Sequence, residues 1–166
     1  MNAQYWIEKL NLEKHPEGGY YLETYRSQDT IKHDGLSSRP TQSRNCCTAI
    51  YYLLSDQEFS AFHRLKSDEI FHFYSGSSLI VHIINKKGEY HQVKLGQNFV
   101  KNDTFQLVIN QGDWFASEVS EPHSYSLIGC TVAPGFDFND FELGLRAKLI
   151  KLYPNHEDII TKMTYN

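Results

Sequence analysis

Between residues 46 and 132 the chain runs through eight short segments rich in β-branched and aromatic residues, with no helical pattern between them. Nothing else in the sequence limits the fold as tightly. The segments are 46–54, 59–65, 69–74, 79–84, 90–95, 105–110, 114–117 and 124–132, and turn-forming residues separate them regularly. Short strands at this spacing predict an all-β antiparallel sandwich or barrel and argue against a parallel α/β sheet. Eleven Tyr, ten Phe and two Trp support this reading, because aromatic rings fill pleated, half-buried surfaces.

The flanks are different. Asn2 is placed to cap a helix running to about Leu10. His15-Pro16-Glu17-Gly18-Gly19 is turn chemistry, and it opens a Tyr-rich strand that runs to Arg26. Residues 27–43, polar and carrying Gly35 and Pro40, read as a loop bordering a pocket. Near the C-terminus, 143–153 has helical periodicity and is stopped by Pro154, after which Asn155 opens a last helix to about Met163. Ile50-Tyr51-Tyr52-Leu53-Leu54 is apolar on both strand faces, so another layer or another subunit must cover the outer one. A homodimer is the economical answer.

At 166 residues the chain fits one domain, residues 1–166, with a core of its own. Its net charge of −4 is spread without basic clusters, which excludes a nucleic-acid footprint. The apolar runs near Ile50–Leu54 and Leu79–Ile84 are too short to span a bilayer, and the N-terminus has no signal-peptide core. A cytoplasmic protein without a membrane partner is expected. Cys46, Cys47 and Cys130 form no C-x-x-C pair and read as reduced structural residues.

The most informative stretch is Phe62-His63-Arg64-Leu65, followed by Ser67-Asp68-Glu69 and Gly76. It resembles the first motif of the cupins, a His-x-His pair followed by Glu and then Gly, with Leu65 standing where the second His would be. The chain is also similar, over nearly its whole length, to one cupin family of unassigned activity whose members are often labelled predicted sugar epimerases. The blocks that carry this are His15-Pro16-Glu17-Gly18-Gly19-Tyr20, Thr24-Tyr25-Arg26-Ser27, Thr48 to Leu54, Phe62 to Glu69, and Gly129-Cys130-Thr131-Val132-Ala133-Pro134-Gly135-Phe136. The resemblance implies a jelly-roll, or double-stranded β-helix, a homodimer, and kinship in fold with keto-sugar epimerases. It also exposes a departure: the second cupin motif ends on a metal-binding His, and Asn110-Gln111-Gly112 here leads to Phe115 at that position. Leu65 and Phe115 cannot coordinate a metal, and His63 with Glu69 is too few donors, so neither a metal nor another cofactor is expected.

Side chains alternate faces along a strand, so if the ligand-equivalent face is the barrel interior, His63 and Glu69 converge in an apolar pocket. Such a pair suits proton abstraction next to a carbonyl, with His63 as base and Glu69 as its orienting partner. The expected function is a metal-independent sugar epimerase or isomerase acting on a small polar ligand. The alternatives are a non-catalytic ligand-binding cupin and a degenerate metal cupin with one additional donor. Arg26, Thr48, Phe71, Phe115 and Tyr125 are the candidate substrate-binding residues. Arg26 could grip a carboxylate or phosphate, or pair structurally with Glu17, Glu23 or an Asp. Tyr125 or Tyr21 could serve as the opposing acid, and core packing is the competing use of Phe71 and Phe115. His15, His72 and the other histidines show no ligand spacing and receive no role.

Overall fold

The computed structural model describes residues 2–32, 42–56 and 58–165. In chain order its strands are β1 (Glu13–Lys14), β2 (Tyr20–Arg26), β3 (Thr30–Ile31), β4 (Arg44–Asn45), β5 (Thr48–Ser55), β6 (Phe59–Leu65), β7 (Asp68–Gly76), β8 (Leu79–Ile84), β9 (Tyr90–Leu95), β10 (Gln106–Ile109), β11 (Trp114–Val119), β12 (Tyr125–Ala133) and β13 (Phe141–Leu143). Helix α1 (Ala3–Leu10) precedes them, and α2 (Arg146–Leu152) and α3 (Glu157–Lys162) follow. All eight strands expected between 46 and 132 are present, with ends shifted by at most a few residues. Most of the loop expected at 27–43 lies outside the described residues; its flanks pair as β3 and β4.

The strands form an antiparallel jelly roll of two facing sheets. One has six strands in the order β1-β2-β5-β12-β7-β10, the other five in the order β13-β6-β11-β8-β9. Their inner faces meet in a core of Tyr52, Leu54, Phe71, Ile128 and Cys130 from the first sheet with Val81, Ile83, Leu95 and Phe115 from the second. The period-two alternation decides this, because residues on either side of an inward one point outward, and at Tyr51, Leu53, Leu127, Ile84, Trp114 and Ala116 they join separate outer clusters.

Those outer clusters explain why β5 is apolar on both faces. Its outward Tyr51 and Leu53 lie under α1, packed with Trp6, Ile7 and Leu10, so the covering layer at that point is the chain's own N-terminal helix. Asn2 caps α1 as expected, its side chain accepting the Tyr5 N–H at 3.0 Å. The five-stranded sheet is backed in the same way: Phe62, Ile84 and Trp114 pack against Leu149 of α2 and Ile160 of α3. The C-terminal helix expected at 143–153 starts later, since Phe141–Leu143 pairs with β6 instead. Asn155 does not cap the last helix, because it sits inside a 3-10 turn at Pro154–His156 and α3 begins at Glu157 without a side-chain cap. Among the described residues no helix is long and apolar enough to cross a membrane.

Candidate functional site

Between the sheets a cavity of about 360 Å³ opens at one end of the barrel. Its wall on the six-stranded side is built from the inward residues Tyr21, Thr48, Tyr52, Glu69 and Cys130, and on the other side from His63, Leu65 and Phe141. His63 is opposite Phe115 of β11 and Leu143 of β13, and Glu69 opposite Val132 of β12 and Ile109 of β10. Each side chain is therefore held on a strand that is paired along both edges.

Glu17, offered by the sequence only as an ion-pair partner for Arg26, lies against His63 instead. The Glu17 carboxyl is buried, with Oε2 at 3.1 Å from His63 Nε2 and 3.3 Å from His15 Nδ1. The turn around it is the reason it can reach the cavity. Gly18 sits at φ +113, a conformation that side chains rarely adopt, and a Cβ there would lie 2.1 Å from the Phe59 carbonyl oxygen. The Glu17 carbonyl accepts from the Ala61 N–H at 2.8 Å and from the Tyr165 hydroxyl at 3.1 Å, while the Tyr52 hydroxyl donates to the Gly18 carbonyl at 2.8 Å. A second carboxyl oxygen, Oε1, accepts from Ser60 at 3.0 Å. The turn residues of the sequence thus deliver a carboxyl group into the barrel, and only the fold shows where they aim it.

Hydrogen-bond directions assign the proton. His63 Nδ1 lies 2.7 Å from the Ala61 carbonyl oxygen, which can only accept, so Nδ1 carries hydrogen and the neutral ring presents a bare Nε2 to Glu17. His15 Nδ1 accepts the Glu17 backbone N–H at 3.3 Å. His63 Nε2 is thus the ring nitrogen beside Glu17 Oε2 that lacks a donor, and a protonated carboxyl supplies one. Electrostatics agrees. Burial raises the Glu17 carboxyl, opposed by His15, Ser60 and Tyr52, and burial holds His63 down at about 4 against the hydrogen bond to Ala61. His15 is lowered as well, chiefly by burial.

Glu69 is not the partner of His63. It faces the same cavity from the opposite sheet, next to the Cys130 thiol, with no hydrogen bond or ion pair to His63. Burial carries its carboxyl up to about 8, nearby Glu17 adding to the rise and Cys130 opposing it. Cys130, expected as a mere filler, is thereby part of the cavity wall. The two groups singled out in the sequence share one cavity, but in opposite protonation states, neutral base and neutral acid.

The remaining candidates divide. Thr48 and Phe71 line the cavity, and Thr48 Oγ1 also accepts the Phe136 N–H at 2.9 Å, tying the cavity rim to β5. Arg26 lines the mouth but is half-exposed, and its fork is spent on Glu23, at 2.9 and 2.7 Å. Phe115 is outside the cavity lining. It is buried behind the imidazole, ring centroids 4.0 Å apart, and serves as packing for His63. Tyr125 is outside it too: strand parity turns it to the outer face of β12, under α1, where its hydroxyl accepts from Trp6 Nε1 at 2.9 Å. Tyr21 does reach the cavity, edge-on to His15 with centroids 4.7 Å apart. His15 lines it as well, although its spacing in the sequence suggested no role.

The positions that the resemblance marks for metal ligands do not form a metal centre. Leu65 lies in the cavity wall and Phe115 behind His63, and neither has a donor atom. Among the described residues no group of three or more His, Cys, Asp or Glu is disposed to hold a metal ion.

Comparison with known proteins fits this geometry. A hypothetical protein from Leishmania major is 35% identical and superimposes with a TM-score of 0.92 over 100% of both chains. A protein from Shewanella oneidensis is 36% identical, TM-score 0.88, over 99% of this chain and 98% of that one. An uncharacterised protein of Saccharomyces cerevisiae is 31% identical over 148 residues, 84% of this chain and 73% of the yeast protein. The family model described as Cupin superfamily (DUF985) matches residues 4–144, and with the jelly roll and the His63 cavity already in place, the chain belongs to that family.

Proposed function

We propose that this cupin binds a small organic ligand in the barrel cavity and moves a proton on it, as an isomerase acting next to a carbonyl group. The observation that carries the reading is that His63 and Glu69 face one cavity from opposite sheets, the first held deprotonated at about 4 and the second protonated up to about 8. Two titratable groups pushed apart in this way supply a base and an acid at neutral pH without a metal. Glu17 and the Ala61 carbonyl orient the imidazole, and Glu69 takes the role of opposing acid in place of Tyr125. The sugar-epimerase version of this chemistry, expected from the resemblance, is one instance of it.

The test is solvent exchange. The protein is incubated in deuterated water with a panel of small α-hydroxy and α-amino carbonyl compounds, keto-sugars included, and deuterium at the carbon next to the carbonyl is read by mass. Exchange that is lost in both His63→Ala and Glu69→Gln supports the proposal; exchange that persists in either variant, or is absent across the panel, overturns it.

A non-catalytic binding role is the second reading. It is favoured by the engagement of both His63 ring nitrogens, Nδ1 by Ala61 and Nε2 by Glu17, which leaves the base occupied until a ligand displaces Glu17. For the homodimer, the supporting feature is the outer face of the six-stranded sheet beyond α1. There Tyr25, Ala49, Thr131, Ile70 and Val108 stand in one register row, with Tyr25 and Val108 each 54% exposed. A second copy is the occupant we propose for that row, and the mass in solution by light scattering tests it.

A further inference from the structure

The charges around the cavity are lopsided. Among the described residues four carboxyl side chains line it, Glu17, Glu23, Glu69 and Asp137, against a single guanidinium, Arg26. That guanidinium is already occupied. Its Nε and Nη2 donate to the two oxygens of Glu23 at 2.9 and 2.7 Å, and its Nη1 donates to Asn45 Oδ1 at 2.9 Å and to the Phe136 carbonyl at 3.1 Å. Four of its five N–H bonds are spent, so the planar fork that recognises carboxylate or phosphate is closed. The other nearby guanidinium, Arg44, is not in the lining and is clamped on Asp140 at 2.7 and 3.0 Å.

Deeper in, Glu17 and Glu69 are close enough for the charge on one to raise the other, and both are buried. Burial favours the protonated form of both, and a bound cation would favour the carboxylate form of either. At the mouth, Phe136, Phe138 and Phe141 cluster with centroids 5.0 to 6.5 Å apart and present ring surface to the cavity. Aromatic faces attract organic cations and the apolar carbons attached to them.

We infer that the ligand of this cavity is a small organic amine, bound as its ammonium form with the charge directed to the Glu17 and Glu69 carboxyls and its carbon skeleton against the phenylalanine cluster, and that Glu23 acts as a specificity residue by closing Arg26 to anions. The inference rests on the same cavity being the ligand site, as in the proposed function, and adds the substrate class. Among the described residues a phosphate ester or carboxylate would meet four carboxyls and no open fork. A neutral sugar would bring no charge to favour ionisation of the carboxyl pair.

The experiment is calorimetric titration with probes matched in shape and different in charge: glucosamine, glucose and glucose 6-phosphate, then butylamine, butanol and butyrate. The amine of each set is expected to bind about tenfold or more tighter than its neutral match, the size of one charge-assisted contact, and the anion weakest. In Glu69→Gln the amine preference falls by about the same factor. Glu23→Gln frees the Arg26 fork and raises affinity for the anionic probes by about tenfold, a gain that a purely structural Glu23 would not produce. Equal binding across a set, preference for the anion in the unmodified protein, or no binding by the amines at millimolar concentration overturns the inference. Amine preference without deuterium exchange upholds it and removes the acid–base reading, whereas exchange in a protein that prefers neutral or anionic probes removes the inference alone.

Discussion

Glu17 Oε2 lies 3.1 Å from His63 Nε2, and because His63 Nδ1 donates to a backbone carbonyl, the pair shares a single proton. A neutral acid–imidazole pair behaves differently from a buried ion pair when one partner is changed. Glu17→Gln retains a donor for Nε2 and an acceptor for Ser60, and is expected to cost about 1 kcal/mol or less. Glu17→Ala strands two buried polar atoms and should cost about 1–3 kcal/mol. If the pair is ionic, Glu17→Gln breaks it and costs about 3–5 kcal/mol. Urea denaturation of the two variants decides.

Glu69 and His63 pull the pH dependence of stability in opposite directions. The unfolded chain releases the Glu69 proton near 4.5 and the folded protein keeps it up to about 8, so its contribution is full below 4.5 and is lost as pH rises towards 8. His63 takes up a proton near 6.5 when unfolded and only near 4 when folded, so its contribution is full above 6.5 and lost as pH falls towards 4. The two slopes offset each other between 4.5 and 6.5, and from 6.5 to 8 the loss from Glu69 is no longer opposed by His63. Glu69→Gln should therefore lessen the decline in stability over that upper window, and an unchanged decline would contradict the assignment. Glu17, also raised, adds to the same alkaline loss.

Phe115 and Phe138 separate packing from binding. Phe115→Ala empties space behind the imidazole in the core and is expected to destabilise by about 3–5 kcal/mol. Phe138 is 54% exposed at the cavity mouth, so Phe138→Ala should leave stability within about 0.5 kcal/mol and weaken binding of the amine probes. Thermal melts and titrations on the two variants should show this opposition.

Tyr125→Phe removes the hydroxyl that accepts from Trp6 Nε1 at 2.9 Å, far from the cavity lining. The expected loss is about 1 kcal/mol of stability with ligand affinity and exchange rate unchanged. A change in either of the latter would place Tyr125 back in the site.

Gly18→Ala puts a Cβ 2.1 Å from a backbone oxygen at φ +113. The turn must shift, and a loss of at least about 2 kcal/mol is expected, together with displacement of Glu17 from His63. The His63 ring resonances in NMR report that displacement directly.

The strands were legible because turn residues bracket short β-favouring runs: residues 59–65 and 79–84 were delimited to the residue. The start of α2 was not, since Phe141–Leu143 is apolar in a way that suits a helix face and an edge strand equally, and pairing with β6 decided it. Phe115 and Tyr125 were misplaced for different reasons, the first by its place along the inner face and the second by the face itself. Position in a strand tells which residues share a face, and it does not tell which end of that face is open. Tyr125 lies on the outer face of β12 and Phe115 behind the imidazole, and only the packed sheets reveal both.

The amino-acid sequence by itself determined the class of fold, the family, and the entry of His63 and Glu69 into one interior, because strand alternation and local motifs are properties of neighbouring residues. Tertiary structure alone decided that Glu17, 46 positions before His63, is its hydrogen-bond partner, and it chose Glu23 from the partners the sequence offered Arg26. Those pairings depend on how a glycine turn is pressed against β6 and how β2 meets the cavity mouth. Proton positions and charge balance in a cavity are set by which groups are brought within about 3 Å, and distance across a fold leaves no period in the chain.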